Sequence, residues 1–190
     1  MSETMQDNNL IQQYLKGNNQ ALELLIARYL KPIYSFTYKN VGNAAEAEDI
    51  TQAVFVKVWK NLKKFDQKKN FKPWIFQIAK NASIDYLRKK KAIPFSNFEN
   101  DKGQNLLVEN ISAPPANLIE VISDKETLAV AMQSLSVKEQ RIISLRHNDG
   151  MSFKEIAEVF GESINTVKSR YRRTLGLLKR NLRNKAPKTL

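Results

Sequence analysis

Ser152-Phe-Lys-Glu-Ile-Ala-Glu-Val-Phe-Gly161-Glu-Ser-Ile-Asn-Thr-Val-Lys-Ser-Arg-Tyr-Arg-Arg173 is the stretch whose reading decides the fold. Ser152 and Glu155 form a capping box, in which serine and glutamate reciprocally satisfy orphan amides and start a helix over 153–160. Ser163 supplies a second N-cap, for a helix over 164–183. Only Gly161, Glu162 and Ser163 separate the two helices, which is helix-turn-helix spacing. Ala157 is small enough to let the helices approach, and Gly161 permits the positive φ of the turn. On the second helix Val167, Tyr171, Leu175, Leu178 and Leu182 make an apolar stripe, with Val167 directed back at Ile156 and Phe160. Thr166, Lys168, Ser169, Arg172 and Arg173 lie around the rest of its first turns. A recognition helix needs this division, because its leading end enters the major groove while its other face holds the domain. Arginine and lysine pair with guanine edges and phosphates, and serine or threonine can serve either. The plain alternative is an amphipathic helix with a solvated basic face. Gly176 costs the helix about 1 kcal/mol and marks where it would bend or fray.

Working outward, helical signals fill most of the chain. A second capping box, Ser136 to Glu139, starts a helix over 137–147, and another helix is expected near 124–134. Toward the N-terminus, periodicity predicts helices at Leu10–Gly17, at 19–40 with Pro32 loosening it, at 44–63, and at 71–91 with Pro73 tolerated in its first turn. Between residues 92 and 123 prolines, asparagines and a glycine appear and the periodicity is lost, which marks an irregular linker. Over 92–127 there are six acids and two bases. The expectation is an all-α protein of two small helical domains, residues 5–91 and 124–184, joined by a linker over 92–123.

Charge divides the chain the same way. The net charge is +12, yet residues 57–91 carry 12 Lys/Arg against 2 Asp/Glu, and residues 163–190 carry 9 against none. The remainder is therefore net acidic. Two separate basic surfaces point to a polyanion touched at two places. No apolar run approaches the ~20 residues that span a bilayer. The first ten residues lack the apolar core of a secretory signal, so a cytoplasmic location is the default. With no cysteine and one histidine, thiol chemistry, disulfides and zinc fingers are excluded. His147 reads as a surface or capping residue, no glycine-rich phosphate loop is present, and the acids Glu46, Glu48 and Asp49 fit a helix N-terminus. No cofactor or metal and no enzymatic activity is expected.

The N-terminal block has its own constellation. In Glu46-Ala-Glu-Asp-Ile-Thr-Gln-Ala-Val-Phe-Val-Lys-Val-Trp59, Ile50, Val54 and Val58 form an apolar line, while Asp49 and Gln52 fall together elsewhere. Over 71–91, Trp74, Ile75, Ile78, Ala82 and Leu87 can be buried, and Asn81, Asp85 and Arg88 share a polar face also bearing Lys80. Between these helices Phe65-Asp-Gln-Lys-Lys-Asn-Phe71 mixes cations, amides and rings, the groups that hold unstacked bases. Taken singly, Phe65, Phe71 and Trp74 read more simply as core aromatics.

Three sets of residues carry a family resemblance. Asp49-Ile-Thr-Gln52-x-x-Phe55-x-x-x-Trp59 resembles the core-polymerase-binding helix, region 2.2, of bacterial sigma factors. Phe71-x-x-Trp74-Ile-Phe-x-Ile-Ala-x-Asn81-x-x-x-Asp85-x-Leu-Arg88 is similar to their regions 2.3 and 2.4. Leu135-Ser-x-Lys-Glu-Gln140, Phe153-Lys-Glu-Ile-Ala157 and Thr166-Val-Lys-Ser-Arg170 together resemble region 4. The two-domain plan resembles the extracytoplasmic-function class. The resemblance covers residues 10–91 and 124–183 and implies a transcription initiation factor. It implies that Asp49, Gln52, Phe55 and Val56 dock on RNA polymerase core. Lys68, Lys69, Asn70, Lys80, Asn81, Asp85 and Arg88 would capture and open the −10 element of promoter DNA. Thr166, Lys168, Ser169, Arg172 and Arg173 would read the −35 element. It further implies a linker running toward the path of RNA, and an anti-sigma factor as partner. Two other classes stay open on the residues alone: a stand-alone helix-turn-helix regulator with a ligand-sensing N-terminal domain, and an enzyme acting on nucleic acid.

Overall fold

The computed structural model describes the backbone of residues 3–91 and 132–185 and the side chains of residues 6–90 and 132–181. The chain divides between residues 99 and 100 into two compact units. Among the described residues every α or β element is helical. The linker expected over 92–123, and most of the helix expected near 124–134, lie outside the described residues; Met132 and Gln133 are helical.

The first unit begins with α1 (Glu3–Leu15) and α2 (Asn19–Val41). The apolar pattern predicts α1 only from Leu10, and the helix starts seven residues earlier. Asp7 is the reason: it is 1% exposed and accepts hydrogen bonds from Arg28 Nη1 and the Tyr29 hydroxyl. A carboxylate can be buried when it is paired and hydrogen-bonded, and this one fastens a polar stretch to α2. Asn18 caps α2 by accepting from the Gln20 amide at 3.1 Å. The helix runs on through Pro32 and closes at Gly42, whose φ of 74° suits a residue without Cβ. Its buried line is Ala21, Leu25, Tyr29, Ile33 and Phe36, with Thr37 and Asn40 beyond.

Asn43 caps α3 (Ala44–Asn61), which buries Ala47, Ile50, Thr51, Val54 and Val58. It ends two residues sooner than predicted, because Leu62–Lys64 tighten into a 3₁₀ turn. That turn buries Leu62 and turns the chain toward α4 (Phe71–Lys91), which lies against both α2 and α3. Buried hydroxyls join the helices: Thr37 and Thr51 meet at 2.9 Å, and Asn40 donates to Ser83 at 3.3 Å. Lys90 pairs with Glu46, pinning the end of α4 to the start of α3. The core-facing side of α4 is wider than predicted, with Phe76 and Ala79 fully enclosed alongside Ile75.

The second unit holds α5 (Val137–His147), α6 (Phe153–Phe160) and α7 (Ile164–Lys185). Both predicted capping boxes are formed, at Ser136–Glu139 and Ser152–Glu155. Gly161 closes α6 at φ 68°, and the Ser163 hydroxyl accepts from the Thr166 amide at 3.1 Å to open α7. Met132, Leu135, Ile143 and Leu178 form a core on which Tyr171, Leu175 and Leu177 pack. Helix α7 is continuous through Gly176, which is exposed, so burial of the faces on either side outweighs the glycine's propensity cost.

One charged side chain joins this core where only apolar residues are expected. Arg170 is 8% exposed and donates to Glu162 Oε2 at 2.6 Å, while Lys138 approaches Glu162 Oε1 at 2.5 Å. Glu162, in the turn, thus ties α5 to α7. Burial alone would push its pKa up, but the Lys138 hydrogen bond and the two neighbouring cations hold it below the ordinary glutamate value of 4.5. A depressed folded-state pKa means stability present above that ordinary value and lost as pH falls through the lower one. Glu162→Gln should therefore destabilise the second unit by on the order of 1–3 kcal/mol at neutral pH. The difference from wild type should shrink as pH drops below about 4.5. Urea unfolding followed by circular dichroism across pH checks this; a gap that stayed constant down to acid would remove the ion pair from the account.

Candidate nucleic-acid interface

The site in the first unit grows from its aromatic residues. Phe65 and Phe71 are both buried, with ring centroids 5.7 Å apart, edge to face. Trp74 packs 4.8 Å from Phe65 and 5.5 Å from Phe71, and Tyr29 meets Phe71 edge-on at 5.2 Å. Such pairs contribute roughly 0.5–1.5 kcal/mol each beyond the area they bury. The core reading of Phe65 and Phe71 holds, while Trp74 is half-buried. With both ends fastened, the loop between them is forced outward. Asp66 folds it into a turn, its carboxylate accepting from the Lys68 amide at 3.0 Å and its carbonyl from the Lys69 amide at 2.9 Å.

This loop closes one side of an open cleft of about 410 Å³. Its walls are Lys57 and Asn61 from α3, Lys64 and Phe65 from the turn, Asp66 and Lys69 from the loop, and Trp74 and Ile78 from α4. The volume falls in the range of about 300–1,000 Å³ typical of small-ligand pockets. Its walls bring together aromatic ring surface, an amide, a carboxylate and three lysines. Lys57, Asn61 and Lys64 were not singled out from sequence. Their place follows from the tight turn between α3 and α4, which a residue pattern does not show.

Of the other predicted −10 residues, Lys68, Asn81, Asp85 and Arg88 are exposed, and Asn70 and Lys80 are half-buried. Asp85 and Arg88 form a 3.7 Å ion pair. Helical spacing puts Trp74, Asn81, Asp85 and Arg88 on one side of α4, so the polar face continues from the cleft. On α3, Asp49, Gln52 and Val56 are exposed and Phe55 is half-buried. Trp59, 53% exposed, extends that face by another turn and is a further apolar group on it.

In the second unit Thr166, Lys168, Ser169, Arg172 and Arg173 are all exposed, as a groove-reading surface requires. The structure adds two details. The Thr166 hydroxyl lies 2.8 Å from the Ser163 hydroxyl, so it takes part in capping the helix as well as facing outward. Ile164 and Asn165 also stand exposed at the leading end, presenting a methyl-bearing side chain and an amide. His147 proves half-buried rather than superficial. Its Nε2 lies 2.9 Å from the Tyr171 hydroxyl, and burial followed by the Arg146 charge lowers its pKa. Arg146 also sits 4.9 Å over the Phe153 ring and donates to the Met151 carbonyl at 2.8 Å, which fixes the approach to α6.

Comparison with known proteins agrees with both units. Residues 25–93 match the family model Sigma-70 region 2, and residues 125–178 match Sigma-70, region 4. The chain is 31% identical over 178 residues to the ECF RNA polymerase sigma factor SigW of Bacillus subtilis (strain 168), covering 92% of this chain and 95% of that protein. It is 29% identical over 175 residues to the ECF RNA polymerase sigma-E factor of Escherichia coli (strain K12), covering 90% and 91%. Two solved structures share the fold. CnrH, in complex with the cytosolic domain of CnrY, has a TM-score of 0.64 at 24% identity, covering 95% of this chain and 99% of that one. The sigma factor RpoE of Bartonella quintana, in complex with the anti-sigma factor NepR, has a TM-score of 0.62 at 23% identity, covering 86% and 98%. With its region 2 bundle, its region 4 helix-turn-helix and relatives matched along most of its length, the chain belongs to the ECF sigma factors, the factors that direct RNA polymerase to promoters.

Proposed function

We propose that the two basic surfaces divide promoter recognition between them, with the cleft beside Phe65 capturing an unstacked base of the −10 element and α7 reading the −35 duplex. The observation that carries this is the cleft itself. Its half-buried tryptophan and adjoining phenylalanine sit among Lys57, Lys64 and Lys69, with the Asn61 amide and the Asp66 carboxylate at hand. A base can leave the duplex only if unstacking and unpairing, a few kcal/mol, are offset. Stacking on an aromatic ring returns about 1–3 kcal/mol, and lysines at the rim hold the adjoining phosphates. Lys68, Asn70 and Lys80, with the Asn81, Asp85 and Arg88 face, would guide the single strand along α4. The protein would then hold DNA open by binding the melted form better than the paired one, without bond-making chemistry of its own.

The face of Asp49, Gln52, Phe55 and Val56, extended by Trp59, is the proposed contact with RNA polymerase core. It lies on the same helix as Lys57 and Asn61, so α3 would register the base cleft directly against the polymerase. Work on promoter DNA and polymerase would call for a cytoplasmic location. Among the described residues no helix is long and apolar enough to cross a membrane. A third partner is proposed by likeness. Both structural neighbours are held in complexes, one with the cytosolic domain of CnrY and one with an anti-sigma factor. An anti-sigma factor covering the basic faces would also suppress the non-specific phosphate binding that such charge invites.

Two measurements test the assignment of faces. Asp49→Lys should lower affinity for core polymerase at least tenfold while leaving the unfolding midpoint nearly unchanged, since an exposed substitution usually shifts stability by under about 0.5 kcal/mol. A fluorescence titration with core reads this; unchanged affinity removes that face from the polymerase contact. Lys168→Ala and Arg173→Ala should weaken binding to −35 duplex, with about 1–3 kcal/mol lost wherever a base-specific contact is removed. Footprinting of the polymerase complex should show −35 protection reduced and −10 protection retained; the opposite pattern would exchange the roles of the two units.

A further inference from the structure

The cleft is braced by a helix outside the matched region 2 segment, which begins at residue 25. On α1, the Asn8 side chain donates from Nδ2 to the Gln67 carbonyl at 3.1 Å, reaching across 59 positions of sequence. Its neighbour Asp7 is clamped by Arg28 and Tyr29, and the Tyr29 ring abuts Phe71. The backbone beside Asn8 is therefore fixed to the same aromatic cluster that forms the cleft wall. Gln67 lies in the 66–69 turn, of which Asp66 and Lys69 line the cleft.

Asn8 holds this carbonyl at a cost. Its Oδ1 is buried without a hydrogen-bond partner. Rotating the amide would satisfy nothing, since it would point oxygen at the Gln67 carbonyl. A buried unpaired acceptor is destabilising, and an apolar side chain of similar shape would avoid the penalty. What such a side chain lacks is a donor that fixes the Gln67 peptide plane.

We propose that Asn8 is a positioning residue for nucleic-acid capture: it locks the 66–69 turn so that Asp66 and Lys69 stand at the cleft before a base arrives. This rests on the reading of the cleft as a base-binding site. Preorganising a loop removes the ordering cost from the binding step, so the lock acts on affinity and on base discrimination rather than on folding. Helix α1 thereby becomes part of the −10 reader without touching DNA.

The test uses full-length Asn8→Leu and Asn8→Asp, both close in shape and both lacking the donor. Hydrogen exchange of amides 66–70 should quicken in each, with the thermal midpoint held within a few degrees. Binding is then measured with a set of short single-stranded DNA oligonucleotides in which each position carries each of the four bases. Both variants should bind the preferred oligonucleotide about three- to tenfold more weakly, the scale of one hydrogen bond. Their ratio of best to worst base should fall toward one, with affinity for core polymerase unchanged. Lys64→Ala and Lys69→Ala test the cleft independently. If these bind the oligonucleotides as wild type does, the cleft reading fails and takes the inference with it. If they lose binding while the Asn8 variants keep loop protection and base preference, the inference alone is overturned. Loss of cooperative folding in both Asn8 variants would also overturn it, making Asn8 a residue of the core.

Discussion

Phe65 and Phe71 must both be buried, and they are separated by five polar residues. That constraint organises the first unit. The two rings meet each other, Trp74 and Tyr29, so the α3–α4 connection cannot spread out or slide. Lysines 68 and 69 are driven to the surface because their anchors are driven inside. Core and cleft are therefore built from the same aromatic cluster: one side is core, and the edge left open forms the cleft. Helix α3 adds a second coupling. It gives its apolar line to the core and keeps two exposed sides, one toward the cleft and one bearing Asp49, Gln52, Val56 and Trp59.

The second unit solves a related problem with charge. A recognition helix must project cations, yet a small helical unit has little apolar area with which to hold it. Glu162 answers by receiving Lys138 from α5 and Arg170 from α7. Arg170 is thereby spent inside, whereas Lys168, Arg172 and Arg173 remain outside. Among its described residues the basic block of α7 is thus not a uniform surface, since Arg170 is buried while its neighbours are exposed.

Features set by neighbouring residues were legible in the sequence. The helix starts at Ser136, Ser152 and Ser163 depend on partners three residues away, and the turn at Gly161 depends on one residue's φ. The region 2 and region 4 motifs lie in such segments, which is why the family could be read from them. Features set by distant partners were not legible. Asp7 and Arg170 look like solvated charges until Arg28, Tyr29 and Glu162 are brought to them by the fold. Asn8 and Gln67 are unremarkable amides 59 positions apart. The cleft itself joins α3, the 3₁₀ turn, the loop and α4. Only part of it, Phe65 to Trp74, is contiguous enough to be noticed as a pattern.

The most direct measurement is permanganate reactivity of promoter thymines in complexes of this factor with core polymerase, comparing wild type with a Lys64→Ala, Lys69→Ala double variant. Capture of an unstacked base predicts that wild type exposes reactive thymines around the −10 element. The variant should bind core and protect the −35 element equally well, yet open the DNA far less. Equal reactivity in the two complexes, at matched occupancy and salt, would contradict the claim that this cleft holds the DNA open.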